Sequence, residues 1–147
     1  VSVQLGFDLM IPPSYIGEAS LRIEMYHKIF DADSDEDSKR VTQEFIDRFG
    51  PLPEEVFLLM EVAQLKVLAR YQGLTSIQLH RDRVYFRQGD LIRRVEQIQK
   101  ITSPKALVIQ LRNLLKQETS YDNLKKIRSA KSRSLGISKG RSRFKAG

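Results

Sequence analysis

Between Phe49 and Glu54 the chain reads F-G-P-L-P, a glycine followed by two prolines within four positions. This run constrains the fold more than any other. Proline lacks an amide proton and its ring clashes with the preceding helical turn, so no helix passes through the segment. Gly50 suits the left-handed position just past one helix, and Pro53 suits the first turn of the next, where a missing N–H is harmless. Glu54 and Glu55 then fall at the positive end of that second helix. The spacing predicts two helices joined by a tight corner.

Upstream of the corner, Val41, Phe45 and Phe49 recur every four residues and mark the buried stripe of the outgoing helix. Its start is signalled by Ser34, with Asp37 three residues on and Asp35 and Glu36 in the first turn, a capping arrangement favoured by the helix dipole. Earlier still, Leu21, Met25 and Ile29, flanked by Tyr26 and Phe30, predict a helix from about 18 to 30, separated from the next by the solvated stretch DADSDEDSKR. The chain opens with Val1, Val3, Leu5, Phe7 and Leu9 in alternation, which predicts a strand closed by Pro12 and Pro13.

Downstream, Val56, Leu59 or Met60, Ala63 and Val67 carry an apolar stripe through a helix of about five turns ending near Gly73. The period then changes. Ile77 with Leu79, and Val84 with Phe86, alternate around HRDR and predict a hairpin. Leu91, Val95 and Ile98 suggest a helix starting after Asp90. Residues 103–118 fit two patterns: Ser103-Pro104 resembles a helix start with Leu107, Leu111, Leu114 and Leu115 behind it, while Leu107, Ile109 and Leu111 also alternate. A last helix is expected near 121–128. The fold class expected is α+β, several amphipathic helices packed on a small mixed β-sheet, with a domain over 1–128 and a flexible basic tail over 129–147.

Charge is unevenly placed. Residues 1–124 hold 16 Lys and Arg against 18 Asp and Glu, whereas 125–147 hold nine basic residues and no acidic one. The net charge of +7 is therefore a terminal feature and not a property of a groove on the fold. Within that tail Lys139, Arg141, Arg143 and Lys145, interleaved with Ser and Gly, are candidate phosphate contacts of largely sequence-independent character. The rival reading is a solubilising end.

Other chemistry is sparse. There is no cysteine, hence no disulfide framework and no thiolate metal site, which suits the cytoplasm. Neither GxxxxGK[ST] nor GxGxxG occurs, so no cradle for a nucleotide is expected. His27 falls in an amphipathic helix and His80 at a hairpin tip, where each reads as a partly exposed polar residue and not as a metal ligand or acid–base group. No apolar run reaches the roughly 18 residues of a membrane helix. Starting at Val1, the chain reads as a piece of a longer protein. No catalytic residue, cofactor or metal is expected within it.

Taken together, YIGEASLRIEMYHKI, a charged spacer, QEFIDRFGPLPEEV, the long helix LLMEVAQLKVLARYQGL and the short strands after it resemble the C-terminal domain of the bacterial transcription-repair coupling factors. The signature is a tyrosine-led helix, an E-x-x-D-R-F-G-x-L-P corner, and a helix running into a glycine before an isoleucine-containing strand. It covers about residues 5–101; nothing from Ser129 onward matches. In that family a strand and a final helix follow, which places a strand at about 106–111.

The resemblance implies a non-catalytic regulatory cap of an ATP-driven DNA translocase of the helicase family, which displaces stalled RNA polymerase and recruits excision repair. It implies docking on a UvrB-like N-terminal module of the same protein, masking a surface for UvrA, with DNA contacted through the parent's motor domains. The residues matched to that contact are Glu44, Asp47 and Arg48, outside the apolar stripe of their helix. Glu44 and Asp47, three apart, are neighbours able to grip arginines of a partner by charge-assisted hydrogen bonds. Asp47 has a competing role, pairing with Arg48 or accepting from amides at the Pro51 turn.

Overall fold

The computed structural model describes residues 1–99 and 103–117. The elements run β1 (Ser2–Gln4), α1 (Ala19–Asp31), α2 (Asp35–Phe49), α3 (Glu54–Tyr71), β2 (Ser76–His80), β3 (Arg83–Gln88), β4 (Leu91–Gln97) and α4 (104–117). The four strands form one mixed sheet in the order β1-β2-β3-β4, with β1 parallel to β2 and the other pairs antiparallel. The fold is α+β, as expected.

Two apolar clusters meet at α3. One covers a single face of the sheet: Ile77, Val84 and Phe86 pack with Leu58, Leu65 and Ala69 of α3 and with Leu107, Val108, Leu111 and Leu115 of α4. The other joins Met25 and Ile29 of α1, Phe45 of α2 and Val56, Leu59, Met60 and Ala63 of α3. Being buried on two sides, α3 carries more than the single stripe its spacing suggests.

The helix termini follow the local chemistry. The Ser34 hydroxyl accepts from the Asp37 amide at 3.1 Å, and three acids occupy the first turn of α2. At its other end the Gly50 amide donates to Ile46 O, and Gly50 has φ 96° and ψ −168°, a region open essentially to glycine alone. Pro53 sits one position earlier than its sequence reading, as the residue flanking the start of α3.

Three expectations are corrected. The opening strand is only Ser2–Gln4: Leu5 is buried, but Gly6 turns the chain at φ 83°. The helix expected after Asp90 is strand β4, because Gly89, at φ 59°, and Asp90 make a two-residue hairpin turn that returns the chain along β3. The strand expected at 106–111 is part of α4. Here the Ser103 hydroxyl accepts from the Ala106 amide at 3.1 Å, Pro104 opens the helix, and the buried Leu107, Val108, Leu111 and Leu115 follow helical spacing. The helix expected at 121–128, the boundary at 128 and the basic tail lie outside the described residues.

Candidate functional site

The corner between α2 and α3 is held from outside α2. Pro12 starts a tight turn, its carbonyl accepting from the amides of Tyr15 and Ile16. That turn aims Tyr15 at the end of α2, where its hydroxyl donates to Gly50 O at 2.8 Å, with Phe45 O at 3.2 Å. Gly50 O lies just past the last helical residue, Phe49, and has no donor within the helix, whereas Phe45 O lies one turn inside it. The Tyr15 ring stacks on Phe45, centroids 6.3 Å apart at 18°, and meets Phe49 edge-on at 6.0 Å. Burial pushes the phenol up from its ordinary pKa. The next segment is fixed by Arg22, whose guanidinium donates to Ile16 O and Gly17 O.

On the other side of α2 lies a four-charge network with α1. Glu24 and Lys28 stand one turn apart on α1, and Glu44 and Arg48 one turn apart on α2. Lys28 Nζ lies 2.6 Å from Glu44 Oε2, and Arg48 Nη1 lies 2.8 Å from the same oxygen and 3.1 Å from Glu24 Oε2. The hydrogen bond from Lys28, then that from Arg48, holds the Glu44 carboxyl below its ordinary range. Glu44 in turn raises the pKa of Lys28 and of Arg48. The Arg48 guanidinium also sits 5.0 Å from the Phe49 ring centre.

Asp47 is placed differently. It is exposed, and its Oδ1 accepts from Gln43 Nε2 at 2.8 Å, a neutral donor on its own helix. The Gly50 amide goes to Ile46 O, and the Arg48 bonds go to Glu24 and Glu44. Glu44 and Asp47 thus share a helix but turn to different partners. The outcome is one internally compensated acid, one outward acid, and Arg48 spanning both helices.

Tyr15 entered the sequence reading only as the leading residue of the signature, with no role assigned, and it stands in the turn before α1; Glu24 and Lys28 were not singled out. The i, i+4 spacing of Glu24 and Lys28 signalled a pair on α1, but nothing local showed that it faces α2. His27 and His80 are both exposed, on α1 and at the end of β2. Among the described residues no group of three or more His, Asp or Glu is arranged to hold a metal, and no helix is long and apolar enough to cross a membrane. Lys139, Arg141, Arg143 and Lys145 lie outside the described residues.

A family model described as the TRCF domain matches residues 5–94, a span that includes Tyr15, both charged helices and the corner. The transcription-repair-coupling factor of Mycobacterium tuberculosis is 39% identical over 77 residues, 52% of this chain and 6% of that protein. That of Bacillus subtilis is 34% identical over 82 residues, 56% of this chain and 7% of that protein. A crystal structure of the C-terminal domain of transcription-repair coupling factor superposes with a TM-score of 0.54 at 25% identity, over 58% of this chain and 55% of that one. The aligned stretch is thus a small part of the curated relatives' length. With a match through more than half of its residues and a shared fold, the chain belongs to the TRCF domain family, that of the C-terminal domain of transcription-repair coupling factors.

Proposed function

We propose that this chain is the non-catalytic, autoinhibitory cap of a cytoplasmic ATP-dependent DNA translocase that couples transcription to nucleotide excision repair. It docks through the end of α2 on a UvrB-like N-terminal module and masks the surface that UvrA binds; RNA polymerase and DNA are met by other parts of the parent. The observation that carries this reading is the pinned corner. Tyr15 fixes the last turn of α2, so the exposed Asp47 carboxylate and the neighbouring Arg48 are presented without a loop to order on binding.

The energetics suit a reversible contact. Exposed ion pairs contribute ~0 to 1 kcal/mol and partly desolvated ones more, so two or three contacts give a latch of roughly 2 to 4 kcal/mol. Such a bias holds the resting state and yields when the working state gains other contacts. Glu44 supports the latch from behind: together with Glu24 it balances the charges of Lys28 and Arg48, and it sets the position of the Arg48 guanidinium.

The test is the double variant Glu44→Ala with Asp47→Ala in the whole translocase, shown folded by circular dichroism. Increased UvrA binding relative to the parent is expected; binding no tighter than the parent's would make these residues ordinary surface.

A further inference from the structure

The sheet has a second face that neither apolar cluster touches. The register Gln4↔Gln78, Gln78↔Tyr85 and Tyr85↔Val95 lines these side chains up across all four strands, opposite the face occupied by Ile77, Val84 and Phe86. Along β3, Arg83 and Arg87 flank Tyr85 on this same face, about 13 Å apart by strand rise. Arg83 and Val95 are exposed, and Tyr85 and Arg87 half-buried. Glu96 is the one carboxylate within the four strands, and it pairs opposite Val84 on the covered face. The open face therefore has arginines, amides, an aromatic ring and the exposed Val95, with no carboxylate from the strands; at its edge the turn residue Asp82 accepts from Gln97, opposite Arg83.

We propose that this face binds single-stranded nucleic acid. The charge is complementary to phosphates, and the row already has the parts such a ligand uses. A base can stack at Tyr85, whose ring centre lies 5.9 Å from the Arg87 guanidinium. The amide row runs beside it: Arg87 Nε donates to Gln78 Oε1 at 3.0 Å and Gln78 Nε2 to Gln4 Oε1 at 3.3 Å, which orients glutamine groups of the kind that hydrogen-bond base edges. Arg83 and Arg87 take the backbone on either side. An acidic peptide satisfies the arginines but leaves the ring and the amides without a role. A duplex keeps its bases stacked internally and so offers Tyr85 no face. The inference is independent of the latch, which uses the other cluster.

The experiment uses the full 147-residue chain and a labelled single-stranded DNA carrying 5-iodouracil, with binding read by fluorescence anisotropy and ultraviolet cross-links mapped by mass spectrometry. A cross-link at Tyr85 is expected. Tyr85→Leu, shown folded by circular dichroism, weakens binding about tenfold. Arg83→Ser with Arg87→Ser lowers the slope of log affinity against log salt by about one to two. Replacing Lys139, Arg141, Arg143 and Lys145 by serine leaves the Tyr85 cross-link in place. Cross-links confined to residues 125–147, with Tyr85→Leu binding like the parent, overturn the proposal. So does displacement of the DNA by polyglutamate at equal charge concentration, which marks a surface that reads charge alone.

Discussion

Tyr15 ties the proline turn at Pro12 to the last carbonyls of α2 while its ring packs between Phe45 and Phe49. Tyr15→Phe keeps the rings and removes only the hydroxyl, leaving the Gly50 carbonyl without this donor. The expected loss is about 1 to 2 kcal/mol in urea unfolding, with the slope unchanged; a variant as stable as the parent would show that the ring contacts alone hold the corner. Glu44 makes a prediction in pH. Its folded carboxyl is held below the ordinary value of 4.5 by Lys28 and Arg48, so the unfolded chain takes up the proton first. The stability it contributes is complete above that value and is lost as pH falls through the folded one. The stability gap between the parent and Glu44→Gln should accordingly be widest near neutrality and close on acidification below 4.5. A gap that stays constant down the acid limb would mean that the network stores no linkage.

At the scale of elements, legibility depended on whether the deciding chemistry was local. The boundaries of α2 and the corner were readable because Ser34, Gly50 and Pro53 act on their own neighbours. Strand β4 was not. Leu91, Val95 and Ile98 have helical spacing, yet Leu91 and Val95 face solvent, and only Ile98, just past the strand, is buried. The Gly89-Asp90 turn decided the matter, and its weight depends on β3 being there to pair with. In α4 the family's expected strand outweighed a Ser-Pro start that was legible. The two readings still differ measurably: a helix buries Val108 and leaves Ile109 half-exposed, whereas alternation with Leu107 and Leu111 buries Ile109. Val108→Ala is expected to cost about 1 kcal/mol or more by thermal unfolding and Ile109→Ala less; the reverse order would restore the strand. Of the proposed contact, Glu44, Asp47 and Arg48 came from the family resemblance together with their position off the apolar stripe, while the α1 partner of Glu44, Lys28, lies beyond any local pattern.

For the whole molecule, the proposed latch rests on a helix end fixed by Tyr15 that carries one outward acid, Asp47, and one arginine shared with α1, Arg48. Asp47 is the place to test this, because among the described residues its side chain is held only by Gln43 on the same helix, and reversing its charge leaves the α1–α2 network intact. The most direct measurement is calorimetric titration of the 147-residue chain into the separate UvrB-like N-terminal module, for the parent and for Asp47→Lys. Binding that weakens with salt and drops about tenfold or more in the variant is expected. Equal affinities for the two chains, or no binding by the parent at low salt, would contradict the latch.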